Sequence, residues 1–268
     1  MTNTSYSDRI HRILPELNPE QSPESLALLR DYEADDLSPF ELATELAKCD
    51  KTSDMPRVLF DFLVDLYSEE CRNGNDWAMN DLGALYYDGR GCEQDFKKAV
   101  FYFDMAAKNG NRQAQENLGY CYYYGRNMPV DYEKAFHYFA LGAFDGHLIS
   151  LYKIGDMYQN GYYVEKNPAE AFNIYMHCID MMTEEASVTV AGPVYLRLGH
   201  ALLNGNGVEA SAKSALICFQ KAEAFLYDMV ADGEEMYKKS LRAAIDGQAK
   251  ARAVLEEALP KQEWTVDL

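Results

Sequence analysis

Residues 78–110 read AMNDLGALYYDGRGCEQDFKKAVFYFDMAAKNG, and residues 114–146 read AQENLGYCYYYGRNMPVDYEKAFHYFALGAFDG. The two stretches align without a gap at a step of 36 residues, and weaker copies follow after steps of 36 and 44. An internal period of this length predicts a repeat protein whose units stack on their neighbours. A leucine–glycine or isoleucine–glycine pair marks each copy, with the glycines at Gly83, Gly119, Gly155 and Gly199.

Each copy predicts a helix, a short loop and a second helix. In the first copy, apolar residues recur at helical spacing from Ala78 to Tyr86, and Gly89 suits the left-handed position that ends a helix. Gly83 interrupts that helix, and its recurrence predicts the close approach of another helix. A second apolar stripe begins at Phe96. The residue before each second helix is a good N-cap: Asp95, Asp131, Asn167 and Ser211.

These residues resemble the Sel-one-like repeat, a relative of the tetratricopeptide repeat. The first copy matches best, and the later copies depart from the pattern at Asn127, Tyr163, Leu202 and Ser211. The resemblance implies an all-α fold, a right-handed superhelical α/α solenoid of stacked antiparallel helix pairs. It also implies a scaffold that binds other proteins, without naming a partner.

The repeat register predicts the organisation of the whole chain. We expect a helical extension over 1–37, a degenerate leading repeat over 38–74 and four repeats within 75–231. A capping helix pair is expected over 232–259 and a flexible tail over 260–268. The four repeats are expected at about 77–110, 113–146, 149–186 and 193–231.

The charge balance disfavours several classes of partner. The chain has 43 acidic and 25 basic residues, a formal net charge of −18, and 20 tyrosines against 2 tryptophans. Phosphate backbones and anionic lipids attract basic faces, so direct nucleic-acid binding and membrane binding are disfavoured. Residues 1–76 hold 17 acids and 7 bases, so more than half of the net charge belongs to the N-terminal part.

No sequence motif predicts catalysis, a cofactor or a metal site. The six cysteines form no CxxC motif, and the five histidines form no HExxH or close Cys/His set. The glycine loops at 88–91 and 204–207 follow predicted helices, so they are helix-ending loops rather than phosphate-binding loops. The first residues lack the apolar core of a signal peptide. We therefore expect a non-catalytic, cytoplasmic protein with reduced thiols.

A partner-binding groove is predicted on the first helices of the repeats, which line the concave face in tetratricopeptide-type solenoids. Tyrosine offers a large contact area and a hydroxyl at low entropic cost, so it suits a binding surface. Lys153 and Arg197 could hold a carboxylate, and Asn117 could hold peptide backbone. The predicted groove residues are Asp81, Ala84, Tyr87, Asn117, Tyr120, Tyr123, Tyr124, Lys153, Asp156, Arg197 and His200.

The leading functional hypothesis is a scaffold or adaptor that binds a partner peptide or helix in this tyrosine-lined groove. The alternative is an acidic inhibitor or immunity-type protein that neutralises a basic partner through charge. An effector delivered to another cell and a β-lactam-related enzyme rank lower. Certain secreted members of the family are disulfide-stapled and linked to β-lactam binding, but the cysteines here occupy differing repeat offsets. The sequence predicts neither the partner nor the oligomeric state.

Overall fold

The computed structural model describes residues 6–20, 22–32, 37–49, 55–231 and 235–258, without the side chains of 184–188 and 235. These residues form helices joined by short loops, and none of them lies in a strand. The all-α fold class is therefore confirmed. The helices are α1 (Tyr6–Ile13), α2 (Pro23–Asp31), α3 (Pro39–Cys49), α4 (Arg57–Arg72), α5 (Asp76–Asp88), α6 (Phe96–Lys108), α7 (Arg112–Tyr124), α8 (Tyr132–Phe144), α9 (Leu148–Asn160), α10 (Pro168–Asp180), α11 (Glu184–Asn204), α12 (Ala212–Ala231) and α13 (Lys238–Glu257).

The helices group into two compact units, Met1–Tyr138 and Phe139–Leu268. In the N-terminal unit, each helix from α3 to α6 packs against the next one along the chain. In the C-terminal unit, α9 packs against both α10 and α11, and α11 packs against both α12 and α13. Contacts between successive helices and between alternate helices are typical of stacked helix pairs, in which each pair buries its apolar stripe against its neighbours.

The N-caps that the sequence predicts for the second helices are confirmed. Asp95 accepts a hydrogen bond from the Lys98 N–H at 3.0 Å, and Asp131 accepts one from the Lys134 N–H at 3.0 Å. Asn167 and Ser211 make the equivalent bonds at the starts of α10 and α12. Each bond satisfies one N–H group that the first turn of a helix leaves without a partner.

A lysine and two tyrosines connect two of these N-caps, Asp95 and Asp131, to the preceding helix. Lys98 lies 3.8 Å from the Asp95 carboxylate, and its ammonium stands 4.5 Å from the centre of the Tyr86 ring. Tyr86 stacks in turn on Tyr102 of α6, with ring centres 6.0 Å apart. The next repeat has the same arrangement of Lys134, Tyr122 and Tyr138. The recurrence of these residue types therefore reflects a packing unit of the repeat.

The recurring glycine of the first helices allows the two helices of a pair to approach closely. A methyl group placed on Gly83 would lie 2.7 Å from the Phe103 ring of α6. Carbon atoms in contact keep about 3.5–4.0 Å apart, so alanine does not fit there without movement. The predicted reason for this glycine is thus confirmed. The same approach occurs at Gly155 against Tyr175 and at Gly199 against Phe219.

The third and fourth copies are separated by 44 residues instead of 36, and the additional residues lengthen the first helix of the fourth repeat. Helix α11 has 21 residues, whereas α5, α7 and α9 have 13 each. Pro193 lies inside α11, and its carbonyl accepts a hydrogen bond from Arg197 Nη1 at 2.8 Å. Gly192 lies beside it, where a methyl group would stand 2.8 Å from Leu226 of α12. The insertion therefore extends a packed helix rather than a loop.

One prediction about the ends is wrong, because a single helix replaces the capping helix pair expected over 232–259. Helix α13 runs without interruption through Gly247. A methyl group at Gly247 would stand 2.6 Å from the Phe219 ring, so this glycine allows close packing instead of ending a helix. Near the other end, Ser38 and Glu41 form the expected capping box. The tail expected over 260–268 lies outside the described residues.

Candidate functional site

Seven of the eleven predicted groove residues lie on two helices of the N-terminal unit. Helices α5 and α7 are the first helices of successive pairs, and α6 packs against both. We call Tyr87, Tyr120, Tyr123 and Tyr124 together the tyrosine face. Helix α5 carries Asp81, Ala84 and Tyr87, and α7 carries Asn117, Tyr120, Tyr123 and Tyr124.

A chain of amide hydrogen bonds connects the two helices beside the tyrosine face. Asn117 Nδ2 donates to Asn80 Oδ1 at 3.0 Å, and Asn80 Nδ2 donates to Asp81 Oδ1 at 3.2 Å. Asn80 is buried, so these bonds satisfy a polar group that water cannot reach. Burial raises the pKa of Asp81, and the bond from Asn80 and the charge of Arg90 act against that rise. The network therefore fixes Asp81 and Asn117 relative to each other.

Three of the four rings of the tyrosine face, those on α7, contact one another, and the fourth, Tyr87, packs on Phe96. Tyr120 and Tyr124 stand one turn apart on α7 and stack with centres 6.2 Å apart and an interplanar angle of 9°. Tyr123 meets Tyr124 edge to face at 4.8 Å. Tyr87 packs edge to face on Phe96 at 5.2 Å. Tyr124 is 46% exposed, so the cluster presents aromatic surface to solvent.

Arg126 lies at the edge of the tyrosine face and was not among the predicted groove residues. Its guanidinium carbon stands 4.6 Å from the centre of the Phe96 ring and 5.7 Å from that of Tyr124. Burial raises the pKa of Tyr87, and a hydrogen bond from Arg126 to the Tyr87 side chain acts against that rise. Arg126 and Arg90 each follow the glycine that ends a first helix. That shared position was the sequence signal that could have identified Arg126.

The four other predicted groove residues lie in the C-terminal unit, where an ion pair joins α9 to α11. Arg197 holds Asp156 through two contacts, from Nε to Oδ1 at 2.5 Å and from Nη2 to Oδ2 at 2.6 Å. Tyr175 donates to Asp156 Oδ1 at 2.9 Å, and Lys153 Nζ lies 3.6 Å from Oδ2. The Arg197 guanidinium also stands 4.7 Å from the centre of the Tyr152 ring.

This ion pair is enclosed. Lys153 is 5% exposed and Asp156 is 8% exposed. Burial on its own raises the pKa of Asp156, but the charge and hydrogen bonds of Arg197 outweigh it and hold that pKa below its ordinary value. Asp156 is therefore a carboxylate at neutral pH. Lys153 and Arg197, expected to hold a partner's carboxylate, contact a carboxylate of their own chain.

His200 lies one turn beyond Arg197 on α11 and has exposed surface. Its ring packs edge to face on Phe219, with centres 5.1 Å apart. Burial lowers the pKa of His200, and the charges of Lys250 and Arg197 act in the same direction. The ring is therefore neutral at pH 7, and it offers a hydrogen-bonding group rather than a charge.

The model of the Sel1 repeat matches this chain in four segments, at residues 78–111, 112–147, 148–175 and 193–224. The chain belongs to the Sel1 repeat family. Sel1 repeat proteins generally mediate protein–protein interaction, and scaffolds of this family are typically non-catalytic. None of the curated protein sequences compared with the chain matches it.

Two solved structures have a similar fold. The crystal structure of a Sel1 repeat protein from Oxalobacter formigenes aligns with a TM-score of 0.58 and 18% identity, over 92% of this chain and 99% of that one. The c5321 protein, a protective antigen of uropathogenic Escherichia coli with an SLR fold, aligns with a TM-score of 0.51 and 20% identity. That alignment covers 94% of this chain and 57% of c5321.

The described part of this Sel1 repeat chain contains no group of three or more His, Cys, Asp or Glu side chains that could hold a metal ion. Burial raises the pKa of the Cys121 and Cys178 thiols to about 12, so neither is a thiolate at neutral pH. Among the helices of the described residues, none combines the length and apolarity that crossing a bilayer requires.

Proposed function

We propose that this Sel1 repeat chain is a non-catalytic, cytoplasmic scaffold that binds a segment of a partner protein on its first helices. The observation that carries the proposal is the tyrosine face, in which three rings on α7 contact one another and one of them, Tyr124, is exposed to solvent. Tyrosine is enriched at binding hot spots because its rigid ring contributes contact area and its hydroxyl can form hydrogen bonds. The family membership supports the same conclusion at a coarser level.

The polar residues beside the tyrosine face suit an extended peptide or a helix. Asn117 is tied to Asn80, so its amide has a fixed orientation and can meet a partner's backbone without further ordering. Asp81 and Ala84 lie on the same helix as Tyr87, at helical spacing. In the C-terminal unit, His200 and the exposed quarter of the Arg197 side chain are proposed as additional contacts. Asp156, which pairs with Arg197, and Lys153, which pairs with Asp156, are proposed to hold the Arg197 side chain in place.

The proposal is tested by changing one exposed tyrosine of the face and one exposed tyrosine outside it. The tagged chain is used as bait in a lysate of the native host, and retained proteins are quantified by mass spectrometry. We expect Tyr124→Ala to reduce the retained partner about tenfold or more, as expected for loss of an interface hot spot. The matched control is Tyr227→Ala, since Tyr227 is 64% exposed on α12, the second helix of its pair. Circular dichroism verifies that both variants are folded.

The salt dependence of the complex separates this proposal from the acidic-inhibitor alternative. A contact made by tyrosine rings should survive 0.5 M salt, because ionic strength screens charges and not apolar contacts. Equal retention by the wild-type chain, Tyr124→Ala and Tyr227→Ala would contradict the proposal. A partner released by salt and unaffected by either tyrosine substitution would support charge neutralisation instead.

A further inference from the structure

Arg126 is a half-buried cation held in place by aromatic rings. Its backbone N–H donates to the Cys121 carbonyl at 2.8 Å, directly after Gly125, which has φ +68°. The turn fixes where the side chain begins, and the Phe96 and Tyr124 rings then flank the guanidinium. A cation over such rings gains about 0.5–2 kcal/mol, which compensates in part for lost hydration. The side chain is therefore positioned before any partner arrives.

Among the residues that the structure describes, no acidic side chain forms an ion pair with this cation. Within the described ranges, no carboxylate oxygen lies within 4.0 Å of the Arg126 side-chain nitrogens, although the chain carries 18 more acids than bases. Its Nε is enclosed and finds no hydrogen-bond acceptor. A guanidinium has five N–H donors. The Tyr87 side chain accepts from this one, but the enclosed Nε has lost its hydration and gains no hydrogen bond in return within the described residues.

The equivalent arginine one repeat earlier provides an internal comparison. Arg90 also follows a glycine that ends a first helix, but its Nη1 donates to the Ala47 carbonyl at 3.1 Å. Its Nε lies 3.8 Å from an Asp88 carboxylate oxygen, and the charge of Asp81 also acts on it. The Arg90 Nε is likewise enclosed without a hydrogen-bond acceptor in the described part of the chain, but the fold gives this guanidinium a backbone carbonyl and a nearby carboxylate of the chain itself. Arg126 occupies the same repeat position, with no carboxylate of the described residues within 4.0 Å.

We infer that Arg126 recognises the side-chain carboxylate of an aspartate or glutamate in the partner segment that docks on the tyrosine face. The inference rests on the proposed function and adds the chemistry of the partner. One guanidinium matches the single charge of a carboxylate, whereas phosphorylated segments are typically recognised by clusters of arginines. The exposed Tyr124 ring lies against the same guanidinium, so the residue beside the acid is expected to be aromatic or aliphatic. The partner is therefore an acidic segment with an adjacent apolar anchor.

The test uses random 12-residue peptides displayed on phage and selected against the full chain. Fusion to the phage coat blocks the peptide C-terminus, so any carboxylate that is selected belongs to a side chain. We expect the selected sequences to be enriched in Asp or Glu next to an aromatic or aliphatic residue. Synthetic copies, amidated at the C-terminus, are then measured by fluorescence anisotropy against the wild-type chain and its variants.

Arg126→Gln should weaken binding of these peptides about tenfold or more, the effect expected for a hydrogen bond to a charged group. Lys97→Gln is the matched control, since it removes the same charge from an exposed position on α6 and should change affinity less than about twofold. Changing the peptide's acid to its amide should weaken binding to the wild-type chain and have no further effect on Arg126→Gln. Arg126→Lys keeps the charge without the planar fork, and it should recover part of the affinity.

The inference would be overturned if the selected peptides show no acidic enrichment, or if the acid-to-amide change lowers affinity equally for the wild-type chain and Arg126→Gln. The proposed function would still stand in either case, provided that Tyr124→Ala weakens binding. Failure to select any peptide, or binding that neither Arg126→Gln nor Tyr124→Ala weakens, would overturn both.

Discussion

At the scale of single residues, Asp156 and Arg197 were predicted to face a partner, but the structure pairs them with each other inside the C-terminal unit. The two residues lie on the first helices of successive pairs, α9 and α11. In the C-terminal unit α9 packs against α11, so the two side chains meet and lose most of their hydration. A charge in such a place is tolerated only with a counter-charge and hydrogen bonds, which Arg197, Lys153 and Tyr175 provide.

Removing Arg197 should therefore destabilise the protein rather than act only on partner binding. We expect Arg197→Ala to lower the free energy of unfolding by about 3 kcal/mol, because Asp156 remains buried without its counter-ion. The measurement is urea unfolding followed by circular dichroism. His200→Ala, one turn along the same helix, should cost far less, and the pair Asp156→Leu with Arg197→Met should recover most of the loss. An Arg197→Ala variant as stable as His200→Ala would show that the pair is not structural.

At the scale of helices, local signals predict most helix ends correctly. Asp95, Asp131, Asn167 and Ser211 all start their helices, because an N-cap acts on N–H groups only two or three residues away. Glycine is a more ambiguous sequence signal, because it can end a helix or lie inside one where another helix packs closely. Gly89 ends α5 with φ +72°, whereas Gly247 lies inside α13. The difference is set by Phe219, which is distant in sequence and packs against Gly247.

The close approach at Gly83 leads to a stability prediction with an unusual sign. Replacing a helical glycine by alanine normally stabilises a helix by about 1 kcal/mol. Gly83→Ala should instead destabilise the protein by about 1–3 kcal/mol, since the new methyl group would meet Phe103 at 2.7 Å. Urea unfolding measures the change, and the same substitution in a Phe103→Leu background should cost less. A stabilising Gly83→Ala would mean that the helix pair adjusts its spacing freely.

At the scale of the whole molecule, a stacked-repeat fold predicts that a destabilising substitution affects mainly the helices next to it. Within the described residues, the helices from α3 to α7 and from α9 to α13 contact mainly their neighbours along the chain, so stability should be close to a sum of nearest-neighbour contributions. In Arg197→Ala, we expect amide hydrogen exchange to accelerate within α9 to α12 and to remain at wild-type rates in α3 to α6. Hydrogen exchange with mass spectrometry tests this. Equal acceleration in both regions would indicate that the chain unfolds as one cooperative body.

The candidate site was predicted only in part from sequence. Repeat register places Tyr87, Tyr120 and Tyr124 on first helices, because a period of 36 residues fixes which face of each helix a position occupies. The repeat register does not tell which charged groups surround a side chain in the fold. It therefore assigned Lys153 and Arg197 to a partner's carboxylate and overlooked Arg126, whose aromatic surroundings come from α5, α6 and α7 together.

The sequence by itself determined the repeat family, the all-α class and the residues that begin and end most helices. Those properties depend on periodicity and on contacts within a few residues, which the order of amino acids encodes directly. Only the tertiary structure decided that Asp156 neutralises Arg197, that α13 continues through Gly247 and that Arg126 meets aromatic rings and no acidic side chain of the described residues. Each of these depends on which side chains from distant helices come within about 3–6 Å, because hydrogen bonds, ion pairs and ring contacts act only over that range.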